Sequence, residues 1–182
     1  GMRGAASDRD RRIVESGCAA AGVPLEVLRP SPRLGPPGFQ EKARSLRMDA
    51  ARRVVERGDV DLVATGHNLD DQAETIMYRL SKYASPTALM GMAPRAGVLV
   101  RPLLGVRAAA LRDYCRTCGI EYGEDHTNQA EVYARNVVRH SILPQMERLN
   151  PRVVEALAAA ADAAREQQAL LESLAGEAWE RI

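Results

Sequence analysis

The spacing of apolar residues predicts a chain built mainly of helices. Between residues 40 and 57, for example, apolar side chains fall at positions 43, 46, 50 and 54, which is the period of a helix with one buried face. Gly58 then supplies an end to that helix. By the same criteria, helices are predicted over residues 7–22, 40–57, 69–83, 106–118, 131–143 and 151–182. We expect Pro144 to end the helix before it, and Asn150 with Pro151 to begin the last one.

Short strands are predicted between these helices. Residues 24–29 alternate apolar and polar side chains, and residues 61–65 form a brief apolar run. Residues 98–104 form a third candidate, although Pro102 weakens its far end. Strands that alternate with helices predict an α/β fold with a parallel sheet, followed by a helical end. We expect one domain over residues 1–149 and an alanine-rich linker or packing helix over residues 150–182.

Composition narrows the class of protein. A chain of 182 residues with 46% hydrophobic and 27% charged residues has the balance of a globular domain with one good core. The longest stretch without a charged residue runs from Tyr83 to Pro94 and is too short for a membrane helix. We therefore expect no membrane contact. Three cysteines form no disulfide framework, which indicates a reducing cytoplasm. A net charge of +1 does not by itself indicate a nucleic-acid binder.

Candidate chemistry is concentrated where one predicted helix begins, in the string GHNLDDQAET at residues 66–75. At 100° per residue, Asp70, Asp71 and Glu74 fall on the same face as His67, and the opposite face is apolar. Three carboxylates at a helix start can hold Mg²⁺ and bridge it to phosphate oxygens. The same spacing also fits ordinary helix capping, because the helix dipole favours acidic residues in any first turn.

The whole string closely resembles the second signature of the PP-loop ATPases that modify tRNA, which have an adenine nucleotide α-hydrolase-like fold. The resemblance continues along the chain and narrows to the tRNA(Ile)-lysidine synthetases. The segments that match, in that family's order, are GMRGAASD at 1–8, QEKAR at 40–44, LMGM at 89–92, RPLL at 101–104, EDHTN at 124–128, RNVVR at 135–139, ILP at 142–144 and NP at 150–151. Any one of these segments is weak, but their shared order over most of the chain is specific.

The resemblance implies an ATP-dependent ligase that acts on the wobble cytidine of a tRNA(Ile) with a CAU anticodon. In that family ATP adenylates the C2 oxygen of the base, and the amine of free lysine then displaces AMP. The resemblance places Asp70, Asp71 and Glu74 at contacts with Mg²⁺, ATP or lysine. It places Arg44 and His67 beside the nucleotide. The substrate side of the cleft would be formed by Arg135, Asn136 and Arg139, which suit phosphate or carboxylate contacts.

The sequence also departs from the family pattern. The loop S-G-G-x-D-S that cradles the ATP phosphates does not occur in the chain, so we expect an N-terminally truncated PP-loop fold that is inactive alone. His67-Asn68 replaces the usual double histidine and resembles the tRNA thiolation branch, which uses cysteine pairs to bind iron–sulfur clusters or zinc. Cys115 and Cys118 form a C-x-x-C pair, but its place late in a predicted helix favours two buried structural cysteines. A thiolation enzyme, or a non-catalytic fragment that binds tRNA or itself, therefore remains an alternative.

The resemblance also leads to an expectation about assembly. In the family's sheet, the strands missing from this chain lie between the strand predicted at 24–29 and the strand predicted at 61–65. Their loss would leave the second of these strands on an unpaired apolar edge, which recruits another strand. We therefore expect a homo-oligomer, most simply a two-fold dimer.

Overall fold

The computed structural model describes residues 5–27, 39–82, 85–123 and 134–181. The chain divides into two compact units. The first unit combines Gly1–Thr65, Arg95–Val100 and Leu111–Glu124, and the second combines Gly66–Pro94, Arg101–Ala110 and Asp125–Ile182. The last helix belongs to the second unit, and the predicted boundary between residues 149 and 150 stays a prediction.

Helices dominate both units, as the apolar period predicts. Their bounds are α1 Ala5–Ala21, α2 Phe39–Glu56, α3 Leu69–Leu80, α4 Ala108–Thr117, α5 Ala134–Val137, α6 Leu143–Leu149 and α7 Val153–Trp179. A 3₁₀ turn covers Pro86–Ala88, and a π-helical segment covers Val138–Ile142. None of the helices in the described part combines the length and the hydropathy that a membrane span requires.

A small sheet lies in the first unit. Its strands are β1 Val63–Ala64, β2 Arg95–Ala96 and β3 Leu99–Val100, in the order β1-β3-β2. β1 and β3 run parallel, with Val63 opposite Leu99, and β2 pairs antiparallel with β3. The parallel pair confirms the strands predicted at 61–65 and 98–104, although each is shorter. β1 is an edge of this sheet within the described residues, and the homo-oligomer expected from that edge stays a prediction.

The strand predicted at residues 24–29 is wrong for the part that the structure describes. Residues 23–27 have irregular backbone and pair with no strand of the described chain, and residues 28–29 lie outside the described part. The side chains of Val23, Leu25 and Val27 are exposed. Alternating side chains favour a strand only where a neighbour accepts its backbone hydrogen bonds, and the sequence does not specify that neighbour.

The helix predicted to end before Pro144 continues through it, so this boundary is also wrong. α5, the π-helical segment and α6 form one uninterrupted run from Ala134 to Leu149. Proline has no backbone N–H, and its ring clashes with the carbonyl four residues earlier. The chain adapts by widening the preceding turn, where the Leu143 N–H donates to the Val138 carbonyl five residues back.

The core of the second unit forms around α3. This helix packs against α7 and against the run from α5 to α6. Ala73 and Ile76 are fully buried on its apolar face. A buried apolar cluster that includes Ala73 comprises Leu69, Ala73, Val138, Leu143, Val153 and Val154. α7 begins later than predicted, because Asn150 and Pro151 form a turn in which the Asn150 side chain accepts a hydrogen bond from the Arg152 N–H.

A second feature of this unit is a set of side-chain hydrogen bonds, here called the clamp, that holds the loop at residues 90–92 after the 3₁₀ turn. The Gln72 side-chain amide donates to the Met92 carbonyl at 3.0 Å and accepts from the Met92 N–H at 2.7 Å. Arg79 donates to the Gly91 carbonyl at 2.5 Å, and Arg165 donates to the Met90 carbonyl. Hydrogen bonds with side chains therefore satisfy the backbone of this loop, which pairs with no strand of the described residues.

Arg107 connects the helices of the second unit. Its guanidinium lies 3.2 Å from Asp70 on α3, 2.9 Å from Glu147 on α6 and 3.2 Å from Glu155 on α7. The pKa of Glu155 lies below its usual value, mainly because the backbone N–H of Glu155 donates a hydrogen bond to the carboxylate. Burial opposes this shift, and Arg107 adds to it. One cation therefore joins three helices that the sequence places far apart.

We predict that Gly91→Ala lowers the free energy of unfolding by about 2–4 kcal/mol. Gly91 has φ +55°, and a Cβ there would lie 2.7 Å from the Gln72 side-chain oxygen, so the amide must leave its bonds to Met92. Gly97→Ala is the matched control, because Gly97 has φ +60° and open space around its Cβ position. Urea denaturation followed by circular dichroism measures both variants, and equal losses would contradict the clamp.

We predict that Arg107→Gln destabilises the fold by about 1–2 kcal/mol at pH 7. Because the folded-state pKa of Glu155 is lowered, its ion pair stabilises the protein above the unfolded-state pKa. That stabilisation is lost as pH falls through the folded pKa, so the variant and the parent should converge in acid. Arg116→Gln, which breaks an exposed pair with Asp113, is the control and should change little. A difference that grows below about pH 4 would contradict this assignment.

Candidate functional site

The first turn of α3 is fixed by a reciprocal cap. The Asn68 side-chain oxygen accepts from the Asp71 N–H at 3.0 Å, and the Asp71 carboxylate accepts from the Asn68 N–H at 3.0 Å. This capping box satisfies two backbone donors that a helix start otherwise leaves without partners. It also gives a local physical role to Asn68, which stands where the resemblance predicts a second histidine. The Asp71 carboxylate is therefore held in place by a backbone N–H, independently of its contacts with other charged side chains.

Glu74 is the most deeply buried carboxylate of the segment, with 2% of its side chain exposed. Arg139 forms a bidentate ion pair with it: Nε donates to Oε1 at 2.5 Å, and Nη2 donates to Oε2 at 2.9 Å. Arg135 Nε donates to the same Oε2 at 3.0 Å. A buried carboxylate requires compensation by countercharge and hydrogen bonds, and here two guanidiniums provide both.

Asp71 completes a network of two carboxylates and two guanidiniums. Its Oδ1 lies 3.4 Å from Nη2 of Arg135 and 3.5 Å from Nη2 of Arg139. The hydrogen bond with Glu74 raises the pKa of Arg139 above its usual value; burial opposes this, and the nearby carboxylates add to it. Arg139 therefore stays cationic. We call Asp71, Glu74, Arg135 and Arg139 the acid–arginine network.

The two arginines come from the helical run that Pro144 distorts. Arg135 lies in α5, and Arg139 lies in the π-helical segment four residues later. Residues four apart share a face of a helix, so both side chains reach α3. Asn136, between them in sequence, is buried and engaged in an interaction. π-helical turns inside helices occur frequently at functional sites, and this one carries a site residue.

Asp70 is directed to a different set of partners. Its Oδ2 accepts from the Ala108 N–H at 2.6 Å, at the first residue of α4, and its Oδ1 lies 3.2 Å from Arg107. Both oxygens of Glu74 accept from arginines, and no group of three His, Cys, Asp or Glu side chains in the described residues is arranged to hold a metal. The three carboxylates in this arrangement do not fit the shared magnesium site that the sequence suggests.

The two residues predicted to lie beside the nucleotide belong to different units. His67 directly precedes the capping box and is partly buried and engaged in an interaction. Arg44 lies in α2 of the first unit, and its side chain is outside the described part. Sequence reasoning missed Arg107, although its position at the start of a predicted helix was visible. The described side chains also form no metal-binding group from Cys18, Cys115 and Cys118.

The acid–arginine network reaches solvent on one side. Arg135 is 44% exposed, Arg139 is 32% exposed and Asp71 is 20% exposed, whereas Glu74 is hidden beneath them. The accessible rim of the network therefore consists of the Arg135 and Arg139 guanidiniums and the Asp71 carboxylate. The buried Glu74 carboxylate holds the two guanidiniums in place. Such a rim can bind an anionic group and a cationic group of one ligand side by side.

Comparison with curated proteins finds tRNA(Ile)-lysidine synthases. The chain is 36% identical to that of Solibacter usitatus over 93% of this chain and 38% of the relative. It is 38% identical to that of Leifsonia xyli over 88% of this chain and 48% of the relative, and 34% identical to that of Bacillus cereus strain ZK over all of this chain and 40% of the relative. The chain thus spans less than half the length of these relatives.

Comparison with solved structures supports the fold. The U34-tRNA thiolase NcsA from Methanococcus maripaludis, solved with its [4Fe-4S] cluster, is similar with a TM-score of 0.65 over 86% of this chain and 56% of that chain. At 15% identity this likeness shows the architecture alone. It confirms the predicted α/β architecture with its parallel strand pair.

A family model described as the PP-loop domain matches residues 1–146. This range includes the capping box, the acid–arginine network and the sheet. The chain therefore belongs to the PP-loop domain family.

Proposed function

We propose that this chain is the catalytic part of a ligase that uses ATP to attach lysine to the wobble cytidine of a CAU-anticodon tRNA(Ile). Its relatives named tRNA(Ile)-lysidine synthase are 34–38% identical over 88% or more of the chain. Use of ATP agrees with membership of the PP-loop family. The observation that carries the proposal is the acid–arginine network, because its accessible rim matches the charges of free lysine.

Free lysine carries one carboxylate and two ammonium groups, so it needs partners of both signs. The exposed guanidinium of Arg135 suits the carboxylate, and the partly exposed Asp71 suits an ammonium group. The contact between these two residues, at 3.4 Å, is longer than the bonds to Glu74. A ligand can therefore replace the outer contact while Glu74 keeps both arginines in place.

The backbone at Gly66, directly before His67, has free space beside it. Apart from its chain neighbours, no heavy atom of the described residues lies within 4 Å of the position that a Cβ would take there. His67 and Arg44 are the residues of this chain that we assign to the nucleotide, from their matched positions in the family's motifs. When bound, ATP supplies the adenylate that makes the cytidine C2 oxygen a leaving group.

The attacking amine of lysine must lose a proton before it bonds to the base. Asp71 is the carboxylate that we assign to receive that proton, since it is partly exposed and its Oδ1 contacts to the two arginines are long, at 3.4 and 3.5 Å. Glu74 is unsuited to this step, because both its oxygens accept from arginines and its side chain is buried. The arginines and Asn136 would orient the substrate during the reaction.

We predict that a protein carrying this chain incorporates labelled lysine into a CAU-anticodon tRNA(Ile) transcript when ATP is present. A transcript with a GAU anticodon is the matched control and should remain unlabelled, because the reaction needs a cytidine at the wobble position. Mass spectrometry of the nucleosides identifies the product. Sulfur incorporation instead of lysine would overturn the proposal and favour thiolation.

We predict that Arg135→Gln weakens binding of free lysine about tenfold but leaves binding of cadaverine unchanged, because cadaverine lacks the carboxylate. Asp71→Asn should weaken the binding of both ligands, since it removes the charge that faces an ammonium group and keeps an oxygen for the cap. Asp49→Asn, on the first unit's α2, is the control. Calorimetric titration measures the affinities, and equal losses of lysine and cadaverine in Arg135→Gln would contradict the assignment.

A further inference from the structure

A cavity of about 400 Å³ lies beside the C-terminal half of α3, in the second unit. Its described lining consists of Arg79, Ser85, Thr87 and Ala88. Arg79 follows Glu74 by five residues, which is about 7.5 Å along the helix axis. The cavity is therefore separate from the acid–arginine network, although one helix contributes to both.

Arg79 has a different kind of partner from the four arginines that form the ion pairs described for this unit. Arg107, Arg135, Arg139 and Arg165 each pair with at least one carboxylate. Arg79 instead donates to a backbone carbonyl, that of Gly91, and forms no salt bridge with a carboxylate of the described residues. A guanidinium has five N–H donors, so most of its hydrogen-bonding capacity and its whole charge are available to a ligand.

The position of Arg79 is fixed before any ligand arrives. The Gly91 carbonyl that it binds belongs to the loop clamped by Gln72 through both bonds to Met92. Gly91 lies against the Gln72 amide so closely that no side chain fits there. The guanidinium is thus held by a rigid acceptor, which reduces the entropy lost when it binds an anion.

The lining of the cavity also supplies hydroxyl groups. The Ser85 and Thr87 hydroxyls bond to each other at 2.8 Å, and Ser85 Oγ also accepts from the Thr87 N–H. Their mutual bond uses one of the two hydroxyl hydrogens, so one hydroxyl hydrogen is left to donate. One guanidinium and a hydroxyl donor, in a lining that contains no carboxylate among the described residues, suit a phosphate group.

We propose that Arg79, Ser85 and Thr87 form a phosphate subsite that holds a phosphodiester of the RNA backbone. The identification of RNA as the source rests on the proposed function, whereas the phosphate chemistry rests on the cavity alone. Contacts of arginine, serine and threonine with RNA phosphates fix the position of the nucleic acid without reading its sequence. The subsite would hold the tRNA while its wobble base approaches the lysine bound at the acid–arginine network.

The test is titration of a labelled anticodon stem-loop RNA by the chain at several salt concentrations. Arg79→Gln should weaken binding about five- to tenfold and reduce the salt slope by about 0.7–0.9, as expected when one phosphate contact is lost. Thr87→Val, an exposed position, should weaken binding less and leave the slope unchanged. Arg95→Gln is the matched control, because Arg95 also donates to a backbone carbonyl but lies in the first unit.

A second titration, with inorganic phosphate monitored by NMR, separates the sources of the phosphate. If phosphate shifts the Thr87 amide resonance in the parent but not in Arg79→Gln, while RNA binding is the same in both, the subsite serves a free phosphate rather than RNA. If the parent binds no RNA at all, the proposed function fails and the phosphate titration still tests the cavity. Unchanged RNA affinity, salt slope and phosphate response in a folded Arg79→Gln variant would overturn the proposal.

Discussion

Burial of the Glu74 carboxylate is the constraint on which the second unit depends. A charge removed from water costs several kcal/mol unless charged hydrogen bonds replace the lost hydration. Arg135 and Arg139 provide that replacement from a helix more than sixty residues later in the chain. If either arginine moved away, the buried Glu74 carboxylate would lose hydrogen bonds that compensate for its lost hydration. The arginines therefore hold the first turns of α3 and the π-helical segment together. The site is therefore assembled by the same interaction that stabilises the fold.

Polar side chains hold much of this unit together beside a small apolar core. Gln72 clamps the loop through Met92, and Arg107 joins three helices through carboxylates. Such directional bonds fix geometry more tightly than apolar contacts do, because each requires a particular distance and angle. The consequence for function is preorganisation, since Asp71 and the outer guanidinium groups already stand in position for a ligand with charges of both signs.

The sequence predicts the local features of this protein well and the non-local ones poorly. Apolar spacing predicts where the helices lie, although not each of their ends, and the family resemblance by itself predicts that Arg135 and Arg139 belong to the site. The pairing of Glu74 with those arginines was not predictable, because an acidic helix start looks the same whether it meets a metal or a cation. Pro144 misled the prediction of a helix end for a similar reason. Local rules favour a break, but packing of Val138 and Leu143 in the core keeps the run helical.

A double-mutant cycle between Glu74 and Arg139 tests the central claim most directly. The free energies of unfolding of the parent, Glu74→Gln, Arg139→Gln and the double variant are measured by urea denaturation. If the carboxylate is held by its arginines, Glu74→Gln alone costs about 3–5 kcal/mol and the coupling energy is about 1.5–3 kcal/mol. A coupling within about 0.5 kcal/mol of zero, together with loss of Mn²⁺ binding in Glu74→Gln, would instead make Glu74 a metal ligand and contradict this account.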